Sequence, residues 1–288
     1  MQKFESFGKW ILAGEHSVLR GAPALVFPLP SAGLKLNYQS GSEPLHVEFC
    51  GSRGEEMRLL FWGVVEQAME RLKLDRASLK GQMELHNELQ VGAGLGASAA
   101  LCVAVSRWLA SLGWIATEGI YEFARSLENL FHGESSGVDV AVALRGEPLR
   151  FVRDGEMRPL SLSWQPQWRL TYSGQRGVTS ECVRKVAQMA ETEPQRASEI
   201  DDQMIHSVEM AERALWLPES EESLSLLVKA VNLAGDCFVQ WGLVDGKLQE
   251  HMQELKTQGA LAVKPTGSGG GGFVLSLFKG ARPCLDMQ

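Results

Sequence analysis

The period of apolar and polar positions changes several times along the chain. "KWILAG" (9–14) reads as a short apolar strand, and "APALVFPL" and "GLKLNYQ" predict two further strands bounded by Gly and Pro. "MRLLFWGVVEQAMERLKL" then places Leu60, Val64, Val65, Ala68, Met69 and Leu72 at helical spacing. "GQMELHNEL" alternates, with Met83 and Leu85 on one face and Leu89 as its extension. A glycine-rich turn follows and runs straight into an amphipathic to fully apolar helix from Ser98 to about Leu112, with Gly113 as C-cap. "EGIYEFARSLENLFHG" predicts another helix. Further on, "WRLTYSG" is a strand pattern, and helical patterns lie near 180–191, 198–216 and 221–238. Two strand patterns, "ALAVKPT" and "GFVLSLF", flank four consecutive glycines at 269–272.

With 288 residues, 44% hydrophobic and 22% charged, the chain is long enough for one large or two modest domains with a buried core. The composition shifts around 161–168, which predicts an N-terminal domain over 1–165 and a C-terminal domain over 166–288. A formal net charge of −7 argues against a nucleic-acid footprint. The N-terminus offers only the run WIL, and no apolar run approaches the ~18 residues of a membrane span, so neither a signal peptide nor membrane insertion is expected. Cys50, Cys102, Cys182, Cys237 and Cys284 are far apart and form no CxxC, which fits reduced thiols in a cytoplasmic protein.

Three stretches carry candidate chemistry. In "VGAGLGASAA" (91–100), glycines at 92, 94 and 96 allow close backbone approach, and the following helix turns its free N–H groups into the loop. That is an anion cradle suited to phosphates, with Ser98 placed to meet a metal or a phosphate oxygen. It matches neither the P-loop nor the strict dinucleotide spacing, and a plain glycine turn with Ser98 as a cap explains the same residues. In "SLENLFHGESSGVDVAVAL" (126–144), Glu128 and Asp139 together suit magnesium binding plus a base for an alcohol. A turn aspartate and a solvated helix glutamate are the alternative. In "GKWILAGEHSVLRGAPAL" (8–25), Lys9, Glu15 and His16 lie within eight residues. They fit convergence on one ligand, or ordinary polar residues at a strand end.

Together with "KPTGSGGGG", these stretches resemble the GHMP kinase family, which phosphorylates small metabolite alcohols with ATP. Its three motifs occur in order, as "GKWILAGEHSVLRG", "GAGLGASAA" and "KPTGSGGGG", spanning residues 8 to 273. "GKWILAGEHSVLRG" and "HGESSGVDVAV" are most similar to the mevalonate kinase branch. The resemblance implies an α+β, two-domain fold, with a ribosomal protein S5-like N-terminal domain and a ferredoxin-like C-terminal α/β domain. It implies that Asp139 pairs with the acceptor hydroxyl and that Lys9 lies beside Asp139. Glu15, His16, Gly267 and Ser268 would bind the acceptor. Gly92, Ala93, Gly94, Leu95, Gly96, Ala97 and Ser98 would wrap the triphosphate of ATP, and Ser98 and Glu128 would hold Mg2+. The glycine quartet would pack against the first glycine loop and offer N–H groups to an anion, with Lys264 simply solvated and Thr266 a further candidate contact. The expected partners are ATP and a mevalonate-like alcohol; the resemblance also admits a homodimer, although no stretch marks an interface.

The sequence departs from the family pattern at Gln90, Ala97, Ser135, Val140 and Phe273, none of which removes Lys9, Ser98, Glu128 or Asp139. Lys9 argues against a diphosphomevalonate decarboxylase and Asp139 against a homoserine kinase. A phosphomevalonate kinase needs extra cations, for which Arg20, Arg184 and Lys185 are candidates. A non-catalytic ATP or metabolite sensor is the reading from a different class.

Overall fold

The computed structural model describes residues 1–132, 135–280 and 285–287. The apolar stretch around Trp10 lies in a longer strand, β1 (Gln2–Ala13), which pairs with β2 (Pro23–Pro44). β2 is one continuous strand where the sequence predicted two. Gly33 is a site of close approach rather than a break: a Cβ there would lie 2.7 Å from the Ser6 carbonyl oxygen.

The chain forms two compact units. One comprises Met1–Lys9, Pro28–Val91 and Leu95–Glu147; the other comprises Trp10–Phe27, Gly92–Gly94 and the chain from Pro148 on. β1 and β2 contribute residues to both, so the units interleave along the sequence. The composition shift at 161–168 falls within the second unit rather than at its boundary.

In the first unit, β4 (Lys80–Asn87) pairs antiparallel with the later part of β2, Leu34 facing Asn87, and parallel with β3 (His46–Cys50). Among the described residues its α-helices are α1 (Gly54–Leu72), α2 (Ala97–Ser111), α3 (Ile120–His132) and α4 (Val138–Arg145). α2 packs against the other three. Its sequence is apolar on nearly every face because nearly every face is buried. It ends as predicted, with Gly113 left-handed at φ 76°.

In the second unit, Pro23–Val26 of β2 pairs antiparallel with β5 (Leu149–Val152), which pairs with β6 (Met157–Pro159). A separate four-stranded sheet has the order β10-β7-β9-β8, formed by β7 (Gln167–Tyr172), β8 (Ala262–Pro265), β9 (Phe273–Phe278) and β10 (Leu285–Met287). β8 and β9 are antiparallel, so the glycine quartet is the connection between neighbouring strands. The helices are α5 (Thr179–Thr192), α6 (Pro194–Trp216), α7 (Glu221–Gln240) and α8 (Gly246–Thr257). α7 opens with a capping box between Ser220 and Ser223. α8 was not predicted. Only Leu248, Met252 and Leu255 are buried along it, and they pack with Val263 and Val274.

Candidate active site

In the first unit the chemistry gathers at Lys9 of β1, at the start of α2 and at the start of α4. Lys9 Nζ lies 3.0 Å from Asp139 Oδ2. The lysine is buried, whereas the Asp139 side chain keeps 22% of its surface exposed, so the pair is sheltered but reachable. Lys9 is held at both ends of its length. Its backbone N–H donates to Leu95 O at 2.9 Å, and its stem lies over Gly96, where a Cβ would come within 2.8 Å of Lys9 Cγ. Gly96 is left-handed at φ 75° and caps α2, leaving the first N–H groups of that helix directed at the loop. Asp139 sits on the first turn of α4, where the helix dipole favours a negative charge.

Glu128 on α3 is buried, which overturns the solvated-face reading. Burial first, and then the negative charge of Asp139, push its carboxyl up to about 8; the Ser135 hydroxyl bond, Lys9 and Arg125 pull the other way. Ser135 Oγ donates to Glu128 Oε2 and accepts from the Gly137 N–H at 3.0 Å. The family's usual proline could do neither, so the Ser135 departure has a structural use. Gly133 and Glu134 of the same motif lie outside the described residues, as does Cys284. Val140, a second departure, is fully buried in α4.

In the second unit three loops meet: 92–94, 175–177 and 266–272. A Cβ at Gly94 would be 3.2 Å from Thr266 O, and one at Gly272 would be 2.8 Å from Ala93 O, so the glycine quartet does pack against the first glycine loop. All four quartet glycines have positive φ. What approaches them closely, however, is the chain itself. The Gly272 N–H donates to Gln175 O at 2.7 Å and the Gly270 N–H to Leu243 O at 2.9 Å. Added Cβ atoms would lie 2.9 Å from Phe238 Cδ1 at Gly269, 2.9 Å from Cys182 Sγ at Gly270 and 2.6 Å from Gln175 O at Gly271. The expectation that the quartet offers its N–H groups to an anion is therefore corrected for Gly270 and Gly272, whose donors are already engaged.

Lys264 is likewise not solvated. It is fully buried, and its Nζ donates to Glu15 Oε1 and, at 3.2 Å, to Ile11 O. Phe238 closes the site, its ring centroid 5.3 Å from Nζ. Thr266 ties the same strands together, its Oγ1 accepting from the Ile11 N–H at 2.8 Å and donating to Ile11 O at 3.1 Å. His16 follows Glu15 in a left-handed conformation, φ 60°, with Nε2 2.9 Å from Ser268 O and its ring edge-on to Phe238 and Trp241. Burial lowers its pKa to about 4. Of the cations considered for a second phosphate, Arg20 is held by Asp201 at 2.5 Å through two hydrogen bonds, and Lys185 donates to Gly242 O at 2.5 Å.

Comparison with known proteins resolves the kinship. Residues 60–147 match the family model for the GHMP kinases N terminal domain. A mevalonate kinase of Pyrococcus horikoshii is 30% identical, the match covering 94% of this chain and 87% of the relative. The chain belongs to the mevalonate kinase family. Among solved structures, the L. major mevalonate kinase in complex with R-mevalonate is 26% identical with a TM-score of 0.80, covering 98% of this chain and 88% of that one. Phosphomevalonate kinase of Streptococcus pneumoniae shares the fold at a TM-score of 0.74 and 15% identity, over 98% and 93% of the two chains. The α+β GHMP kinase fold expected from the motifs is thus the fold of this member of the mevalonate kinase family.

Within that family frame, the structure brings Lys9, Gly96 and Asp139 together and places Glu128 within electrostatic reach of Asp139 and Lys9. Ser98 lies on the first turn of α2 and forms contacts within the protein. Glu15, His16, Gly267 and Ser268 belong to the second unit's cluster, where Gly267 approaches Gly94. The burial of one residue was missed in the sequence. Lys264 carries no sequence signal of burial except its place inside a strand between Val263 and Pro265.

Proposed function

We propose that this chain catalyses transfer of the terminal phosphoryl group of ATP to mevalonate, giving 5-phosphomevalonate. The observation that carries this reading is the Lys9–Asp139 pair, 3.0 Å across, with the Lys9 stem packed on Gly96 of the glycine loop. In the step, the bond between the γ-phosphorus and the oxygen bridging to ADP breaks, and a bond from phosphorus to the acceptor oxygen forms. The hydroxyl proton passes to the Asp139 carboxylate. Lys9 balances the negative charge at that oxygen, and the α2 N-terminus and glycine loop bind the polyphosphate. The transfer is direct and in line, without a phosphorylated enzyme; a phosphorylated residue trapped by rapid quench would overturn that part.

The donor set fits Mg2+. Glu128 is a buried carboxylate whose ionised form is disfavoured by burial and by Asp139, a situation a cation relieves. Mg2+ needs only one or two protein oxygens when phosphates supply others. Glu128 and the Ser98 hydroxyl would hold it, and it would neutralise charge on the β- and γ-phosphates. Glu15 and His16 are assigned to acceptor recognition, together with Gly267 and Ser268.

The relatives' names and the mevalonate in the L. major complex support the choice of acceptor. The engagement of Arg20 and Lys185 in internal contacts weighs against a doubly anionic acceptor. No helix among the described residues is long and apolar enough to cross a membrane. The test is ADP release with ATP and Mg2+ across mevalonate, phosphomevalonate, homoserine and galactose. Mevalonate should be turned over with the highest kcat/KM. ATP binding without ADP release on any of them would overturn the reading in favour of a sensor.

A further inference from the structure

We propose that Arg176 is a nucleotide-polyphosphate contact, working from the loop that braces the glycine quartet; this rests on the kinase reading above. The first residue of the phosphate loop, Gly92, lies directly against the Arg176 guanidinium. A Cβ at Gly92 would be 2.5 Å from Nη2, 2.7 Å from Nε and 2.9 Å from Cζ. Gly92 is also left-handed, φ 74°. Glycine at 92 therefore does more than turn the chain: it makes room for a cation at the loop backbone.

Arg176 is an exposed residue, and among the described residues its guanidinium makes no ion pair or hydrogen bond to the protein. Its backbone, by contrast, is fixed. Gln175 O accepts from the Gly272 N–H at 2.7 Å, Gln175 Nε2 donates to Gly270 O at 3.0 Å, and Gly177 lies close against Gly269 O. A side chain with uncommitted donors on a clamped backbone, laid on a loop built for anions, suits bidentate phosphate recognition. Lys264, another cation of this cluster, is buried and committed to Glu15, and Lys185 is committed to Gly242 O. Arg176 changes no covalent bond; its donors meet negative oxygens of the bound nucleotide.

The test is titration of the purified full chain with Mg-ADP and, separately, AMP, for the wild type, Arg176→Gln and Arg176→Lys, alongside steady-state kinetics. Arg176→Gln should weaken ADP about tenfold or more while changing AMP about twofold at most, because AMP lacks the β-phosphate, and should leave the KM for the acceptor within about threefold. Arg176→Lys should recover only part of the ADP affinity. Gly92→Ala, which displaces the guanidinium, should weaken ADP too, and the double variant Gly92→Ala/Arg176→Gln should be no weaker than the sum of a shared loss predicts, that is, clearly less than additive. Unchanged ADP affinity in Arg176→Gln overturns the proposal. So does a loss confined to acceptor KM, which would assign the guanidinium to the acceptor instead. The ADP titration needs no turnover, so a chain that failed to phosphorylate any alcohol would sink the kinase reading while leaving this result to stand or fall by itself.

Discussion

Lys264 and Glu15, 249 positions apart in sequence, meet as a fully buried ion pair between β8 and the turn after β1, both within the second unit. Taking either charge out of water is costly, and what offsets it is the partner, the Ile11 carbonyl and the face of Phe238. Removing one partner strands the other. Lys264→Met or Glu15→Gln alone should therefore destabilise the protein by about 3–5 kcal/mol, and the double variant Lys264→Met/Glu15→Gln should recover a large part of that loss. Urea unfolding of the three variants measures it. Additive losses would mean that the two residues act separately.

Asp139 is the residue on which the proposed chemistry depends. Asp139→Asn keeps the shape of the side chain and an oxygen facing Lys9, but it cannot take the hydroxyl proton. Turnover should fall by about 10²–10⁴, while far-UV circular dichroism and ADP affinity stay close to wild type. Near-normal kcat in this variant would remove Asp139 from the proton's path.

What the sequence disclosed and what it hid divide along a physical line. Glycine loops and a carboxylate after a Ser-Ser-Gly turn are local patterns, and each landed where local geometry puts it, whereas Lys9, read as opening a short strand, lies inside the longer β1. Apolar periodicity found α1, α2 and α3 because each buries a broad stripe. It missed α8, whose core contact rests on three residues, and it split β2 because Pro and Gly read as punctuation whether or not the strand continues. Burial of Lys264 depends on a carboxylate far away in the chain, and the fit of Arg176 onto Gly92 depends on loops 84 positions apart. No window along the sequence contains either.

The glycine quartet is where the structure most changes an expectation. The resemblance implied that the quartet offers its N–H groups to an anion, in which case alanine at 269–271 would harm substrate binding more than stability. Gly271→Ala instead places a methyl 2.6 Å from Gln175 O at φ 142°, and Gly270→Ala places one 2.9 Å from Cys182 Sγ at φ 68°. Gly113→Ala is the control: its φ of 76° is equally unfavourable, but nothing lies within 4 Å. The control should lose about 1–2 kcal/mol for left-handed backbone alone, and the two quartet variants about 1–3 kcal/mol more. Denaturant midpoints give the ranking. A quartet variant as stable as the Gly113→Ala control, yet defective in binding, would restore a ligand-facing role.

His16 gives the protein a pH dependence whose sign is fixed by its surroundings. Its ordinary pKa is 6.5, and in the folded protein burial lowers it to about 4, with the Ser268 carbonyl only partly opposing. Below pH 6.5 the unfolded chain takes up a proton that the folded chain refuses, so acid favours unfolding. The contribution of His16 is fully present above pH 6.5 and is lost as pH falls from there toward 4. Within that window the slope approaches about 1.4 kcal/mol per pH unit. His16→Asn is the informative variant, because asparagine tolerates the left-handed backbone and can still donate to Ser268 O. It should flatten the dependence between about pH 6.5 and 4 while leaving the slope above pH 7 unchanged, as read from urea unfolding at about pH 4.5, 5.5, 7.5 and 8.5. An identical acid slope in wild type and variant would place the titrating group elsewhere.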